Sequence, residues 1–232
     1  MTVIYIATVG LIFFAAWFMK VRMGGHSKRD VVLKMLAALC FVVVSGTAVT
    51  LNLSVLACYF LAGAIFGALG DLFLGLSHLD KQKKQGFMFM GLLWFGLGHV
   101  AYCQGLIHKY STGDSMPYIL IPLVIGILIA TLVGMSGRKL GLHFGRYLPA
   151  VMVYVFLLSF SVLLSFSLNL YYGFHNQQLK IFLIGILMFI ISDSILSRMY
   201  FGKQKHPSLN VVTNHVTYYL AQWLIAISIL FL

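Results

Sequence analysis

Eight apolar stretches, each close to the ~20 residues a helix needs to cross a bilayer, run through the chain at roughly 2–19, 31–51, 53–76, 86–107, 116–135, 147–170, 179–199 and 209–232. Short polar connections separate them and leave no room for a soluble domain. The pattern predicts an all-α, polytopic membrane helical bundle with eight transmembrane helices, forming a single transmembrane domain over 1–232. The first stretch has no basic residues before it and several after it, so it is expected to remain as a span rather than be removed as a signal peptide.

Basic residues sort the connections into two kinds. Lys20, Arg22, Lys28, Arg29 and Lys34 flank the first; Lys81, Lys83 and Lys84 the third; Arg138, Lys139 and Arg146 the fifth; Arg198, Lys203 and Lys205 the seventh. The other connections hold only Lys109 and Lys180 of the 16 basic residues. Lysine and arginine beside span ends stay in the cytoplasm, so both termini are expected on the non-cytoplasmic side. Composition agrees with a membrane chain, being 61% hydrophobic and 9% charged. The net charge of +11 sits in short loops rather than on a folded polar face, which argues against nucleic acid and for anionic headgroups of membrane lipids. Cys40, Cys58 and Cys103 each lie inside an apolar run at no metal-like spacing, so neither a disulfide framework nor a zinc site is indicated.

There is no glutamate, and Asp30, Asp80 and Asp114 lie in connections near basic residues. Asp71 and Asp193 are different. They fall within the third and seventh stretches, where an ionisable side chain costs at least ~2.5 kcal/mol and is by default a functional candidate. Asp71 is expected about 8 Å from the cytoplasmic end of its helix at 1.5 Å per residue, and Asp193 at a similar depth above Arg198. Gly63, Gly67, Asp71 and Gly75 recur every four residues, a nearly bare face that another helix can approach closely, either within the chain or across a homodimer. The last stretch carries its own ridge of Asn210, Asn214, Tyr218 and Gln222, with His215 and Tyr219 beside it.

His99 and Tyr102 in the fourth stretch, and Tyr154 with Ser161 and Ser165 in the sixth, extend this polar interior. These side chains are expected to line a cavity open to the cytoplasm, with Lys34, Asp71, Asp193 and Asn214 near the mouth and His99 and Gln222 deeper. A tapered, mostly apolar pocket with polar groups at one end suits a single-chain amphiphile. Plainer roles exist for each group: Lys34 with Asp71 as a structural ion pair, His99 with Tyr102 as an interhelical hydrogen bond, and the serines as backbone-bonded helix residues. Tyr5, Tyr59, Tyr110, Tyr118, Tyr171, Tyr172 and Tyr200 fit an interfacial aromatic belt.

The chain resembles the YhhN family of multi-pass membrane proteins, whose characterised members are lysoplasmalogenases. The residues that carry the likeness are Lys34 in VVLKMLAAL, the Leu69-Gly70-Asp71 run, His99 and Tyr102, Tyr154, Ser192-Asp193-Ser194, and Thr217 to Gln222 in TYYLAQ. The resemblance implies hydrolysis of the vinyl ether bond of a lysophospholipid substrate (lysoplasmalogen) to a fatty aldehyde and a glycerophospho-base, without a cofactor. Such a bond breaks by protonation of its β-carbon and capture of the oxocarbenium ion by water, which two carboxylates can divide between them. Asp193, with no evident cation beside it, is expected as the protonated acid, and Asp71, near Lys34, as the carboxylate that steadies the cation and activates water. His99, Tyr102, Tyr218 and Gln222 would orient water or hold the glycerol hydroxyl, and the basic rim would meet the phosphate.

Other classes fit less well. A di-aspartyl intramembrane protease is expected to show GxGD, whereas Ala68 stands in the first glycine's place. A zinc hydrolase needs clustered histidines, and these are scattered, so no metal is expected. A proton-coupled small-molecule or lipid transporter using the same Asp pair as a relay is the chief alternative, though internal repeats are not evident; a receptor that only binds lipid is the last. The compact chain, with no evident organellar signal, points to a bacterial inner membrane.

Overall fold

A computed structural model describes residues 1–80, 82–202 and 208–232. Lys81, Lys203 and Lys205, used above to orient the connections, lie outside the described residues. The chain forms α1 (Thr2–Met23), α2 (Lys28–Leu51), α3 (Val55–Leu76), α4 (Lys84–Tyr110), α5 (Pro117–Ser136), α6 (Leu148–Tyr171), α7 (Gln177–Phe201) and α8 (Ser208–Ser228). No β-strand occurs among the described residues.

Several helix starts follow from short polar residues. Ser27 accepts from the Asp30 backbone N–H at 3.2 Å while Asp30 accepts from the Ser27 N–H at 2.7 Å, a reciprocal capping box that opens α2. Ser54 and Asn176 cap α3 and α7 by accepting from Ala57 and Leu179. Pro117 occupies the first position of α5, where its missing N–H costs nothing.

The connections gather at two ends of the bundle. At one end His26 from the α1–α2 turn stacks on His78 from the α3–α4 turn, and His143 from the α5–α6 connection donates its N–H to the Phe201 carbonyl at the end of α7. At the other end Asn52 donates to Ile229, and Tyr172 and Asn176 of the α6–α7 connection bond to Tyr110 at the start of the α4–α5 connection. The described basic residues of the odd-numbered connections therefore share one end, called here the basic end.

Among the described residues, seven helices are long and apolar enough to cross a membrane. Large apolar side chains such as Ile6, Val9 and Ile12 of α1 and Leu120, Val124 and Leu132 of α5 stand exposed on the outside, an arrangement stable in lipid and not in water. This is a multi-pass membrane protein. α8 falls short of the hydropathy of the other seven because of Asn210, Asn214, His215 and Gln222. Asn214, His215, Tyr218 and Gln222 are buried, while Leu209, Val216 and Leu220 of the same helix are exposed, so α8 turns its polar side inward.

The glycine face of α3 is occupied within the chain. A Cβ at Gly63 would fall 2.2 Å from the Tyr102 ring of α4, one at Gly67 2.7 Å from Gln222 of α8, and one at Gly75 3.2 Å from Val31 of α2. Bare backbone here admits side chains from three neighbouring helices, which is the intramolecular use of small-residue packing.

Candidate active site

A cavity of about 280 Å³ opens at the basic end between α1, α2, α3, α7 and α8. Lys34, Asp71, Asp193, Asn214 and Tyr218 line it, the first four being those placed at the mouth from sequence. Lys34 Nζ lies 2.9 Å from Asp71 Oδ1. The Lys34 side chain is 11% exposed and that of Asp71 2%, so the pair is buried in a setting where a lone charge would be expensive. Asp71 Oδ2 is buried with no hydrogen-bond partner among the described residues, and Tyr218 stands beside this carboxylate.

Asp193 is held differently. It accepts a hydrogen bond at Oδ2 from the Tyr154 hydroxyl, has no basic partner within ion-pairing distance among the described residues, and is less buried than Asp71 because it stands in a cavity wall. That wall separates the first chamber from a second, of about 350 Å³, bounded by α4, α5, α6 and α7. Met88, Leu92, Ile129, Val133, Val151 and Leu158 make the second chamber largely apolar. Leu74, Phe95, Leu196 and Tyr200 border both chambers together with Asp193.

Asn214 borders the first chamber with its amide nitrogen already committed: it donates to the Ser192 carbonyl at 2.8 Å and hydroxyl at 2.9 Å, while the Ser192 hydroxyl donates to the Asn214 carbonyl at 3.1 Å. This clasp fixes α7 against α8 and thereby the height of Asp193. His215 also borders the chamber, its Nδ1 2.7 Å from the Val211 carbonyl and its ring edge-on to Phe18.

The deeper reach expected for the cavity is filled. His99, Tyr102 and Gln222 line neither chamber. Tyr102 donates to Gln222 Oε1 at 3.3 Å, and Gln222 donates in turn to the Tyr218 hydroxyl at 3.2 Å. Gly63 and Gly67 create the space that Tyr102 and Gln222 occupy, so the ridge of α8 closes the chamber floor instead of lining a tunnel. His99 is buried edge-on to Tyr102, Tyr154 and Phe189, with centroids 6.2, 5.8 and 5.0 Å away. It makes no hydrogen bond to Tyr102, and neither ring nitrogen has a partner among the described residues.

Smaller differences follow the same logic. Ser161 bonds the Leu157 carbonyl at 2.8 Å as expected, whereas the Ser165 hydroxyl is buried without a partner among the described residues. Tyr110 leaves the expected aromatic belt to donate to Gln178 at 2.8 Å, and Tyr200 leaves it to meet His78 at 2.7 Å beside the first chamber. Arg22, His26, Asp30, His78 and Lys84 also border this chamber. Arg22 and Lys84 belong to the basic rim expected to meet the phosphate, whereas Asp30, expected as a solvated charge, is buried against Arg22. The one available signal was the Ser27–Asp30 capping spacing, which turns Asp30 towards the end of α1. Among the described residues no group of three or more His, Cys, Asp or Glu is placed to hold a metal ion.

The model of the YhhN family matches residues 29–229, a range that includes Lys34, Asp71, Tyr154 and Asp193 and begins after Arg22 and His26. No curated protein and no solved structure matches the chain.

Proposed function

Because the chain belongs to the YhhN family, we propose that it is a lysoplasmalogenase-like hydrolase that cleaves the vinyl ether bond of a lysoplasmalogen. The observation that carries this reading is the position of Asp193, in the wall between an apolar chamber and a polar one that holds the Lys34–Asp71 pair. A single-chain ether lipid has the same division. Its alkenyl chain suits the Met88, Leu92 and Val133 side, its glycerol and headgroup suit the Lys34 side, and its vinyl ether falls at the wall.

In the proposed reaction Asp193 gives a proton to the β-carbon of the vinyl ether. Tyr154 occupies Oδ2, which leaves Oδ1 as the atom that carries the proton. The resulting oxocarbenium ion is electrostatically steadied by Asp71, whose Oδ1 is engaged by Lys34 and whose Oδ2 is open to take a proton from the attacking water. Water adds to the former α-carbon, and the hemiacetal collapses to the fatty aldehyde and the free glycerol hydroxyl. Tyr218 and Gln222 position Asp71 from the floor. The relay required by a proton-coupled transporter has less support, since Tyr102, Gln222 and His99 pack across the path beyond the chamber.

The same reading makes α8 an eighth span, with the basic end in the cytoplasm of a bacterial inner membrane and both termini on the other side. The homodimer once suggested by the glycine face of α3 loses its argument, because that face is filled internally.

Aldehyde release by the purified protein in detergent tests the activity. Wild type is expected to release aldehyde from a lysoplasmalogen and not from the acyl lysophospholipid of the same headgroup, with Asp71→Asn and Asp193→Asn folded and inactive. Verified folded wild type that releases none would sink the proposal.

A further inference from the structure

The mouth of the polar chamber holds a second constellation, set apart from the aspartates. Arg22 lies in the last turn of α1 and Lys84 opens α4, while Asp71 lies within α3, about 8 Å before its end at Leu76 at 1.5 Å per residue. Arg22 donates through Nη1 to Asp30 at 2.9 Å and contacts His26 Nδ1. Its Nε and Nη2 donors have no protein partner among the described residues.

Asp30 balances the charge of Arg22, so Arg22 contributes its remaining N–H donors and Lys84 the net positive charge. One oxygen is taken by the Ser27 N–H and the other by Arg22. Lys84 borders the chamber with no acidic partner among the described residues. His26 is held in place by stacking on His78 at 3.8 Å between centroids, and His78 meets the Tyr200 hydroxyl at 2.7 Å. The mouth therefore presents a pre-positioned guanidinium fork, an ammonium and an imidazole around one opening.

We infer that Arg22, His26 and Lys84 form a binding subsite for a phosphate monoanion, the phosphodiester of a lysophospholipid headgroup. Arginine's planar donors match two phosphate oxygens at once, and lysine adds a point charge. The anchoring of Arg22 by Asp30 leaves less side-chain freedom to lose on binding. The subsite rests on the proposed function for its lipid, and the offset between mouth and aspartates corresponds to the glycerol that separates phosphate from vinyl ether. Phosphate-bearing lysolipids are then selected over neutral ether lipids of the same chain.

The test uses binding, so that it does not depend on turnover. The purified full chain in detergent is titrated with a saturated 1-alkyl lysophosphatidylcholine, which has no vinyl ether to hydrolyse, and with the 1-alkylglycerol of equal chain length. Wild type is expected to favour the phosphate-bearing lipid by about tenfold or more, the scale of one lost charge-assisted hydrogen bond. That ratio should fall towards unity in Arg22→Gln, fall in part in Lys84→Gln, which alters an exposed side chain, and be partly kept in Arg22→Lys. Equal affinities in wild type, or a ratio untouched in the Arg22→Gln/Lys84→Gln double variant, overturn the subsite. Equal weakening of both lipids in Arg22→Gln and Lys84→Gln also overturns it, showing a merely structural role. Glycerophosphocholine should compete while inorganic phosphate competes weakly; the reverse order would assign the site to free phosphate and overturn the headgroup assignment. Aldehyde release without the affinity ratio refutes the subsite alone, and the ratio without aldehyde release refutes the activity alone.

Discussion

Replacing Lys34 by Met removes the cation from a carboxylate that is 2% exposed and already has one oxygen without a partner among the described residues. Removing one member of a buried pair costs about 3–5 kcal/mol, because the other charge is left uncompensated. The lower end applies here, since Asp71 borders a chamber and can take up a proton. For a chain of this size each kcal/mol moves the midpoint by about 2–4 °C, so Lys34→Met should unfold roughly 6–12 °C below wild type. Asp71→Leu alone strands Lys34 and should be destabilised as well. The Lys34→Met/Asp71→Leu double variant strands nothing and should recover to within about 1 kcal/mol of wild type, as replaced buried pairs often do. The assay is thermal unfolding in one detergent, read by the fraction that stays monodisperse after heating, arranged as a double-mutant cycle. Single effects that simply add, to within about 0.5 kcal/mol, would refute the buried-pair reasoning. Aldehyde release separates structure from chemistry: the recovered double variant should be stable and inactive, and turnover by it would reduce the pair to a structural role.

Three further outcomes follow from the same geometry. Asp193→Asn should lower kcat by about 10²-fold or more, the usual contribution of a positioned acid, with Tyr154→Phe losing less because the proton-bearing oxygen remains; steady-state aldehyde kinetics that rank the two in reverse would contradict the assignment. Gly63→Ala puts a methyl 2.2 Å from the Tyr102 ring and should cost about 1–3 kcal/mol of stability, relieved when Tyr102→Leu is added; an unchanged melting midpoint in the single variant would contradict the packing. Val133→Trp narrows the apolar chamber and should raise KM for long alkenyl chains more than for short ones; a uniform effect across chain lengths would mean that the chain lies elsewhere.

Much of the candidate site was legible because charge is conspicuous in apolar sequence. Lys34, Asp71 and Asp193 stand out on hydropathy alone, and the fourfold spacing of Gly63, Gly67 and Asp71 correctly marked an inward face. Spacing could not say what would fill that face. Tyr102 and Gln222 read as cavity-lining polar groups, yet the absence of side chains at Gly63 and Gly67 draws them into packed positions. The Asn214 amide similarly read as a ligand for substrate, and Ser192 claims its nitrogen. That a basic rim would meet the phosphate was expected, whereas the gathering of Arg22, His26 and Lys84 at one mouth was hidden for another reason. They are brought together only by the meeting of two turns with the end of α7, a tertiary event with no periodic signature. Tyr110 and Tyr200 show that position near a helix end does not distinguish a belt residue from one that turns inward to an amide or imidazole.

The inward polarity of α8 bears on how the protein is made. With Asn210, Asn214, His215, Tyr218 and Gln222 on one helix, α8 is poorly suited to partition into a bilayer by itself, and it emerges from the ribosome after every partner. Its polar side can leave water only when Ser192, Asp71 and Tyr102 are already in place to receive it. On the proposed eight-span reading, membrane entry of α8 and completion of the candidate site become one event: a chain whose α3 or α7 is misplaced would leave α8 outside, with its polar side still wet and in reach of quality-control proteases.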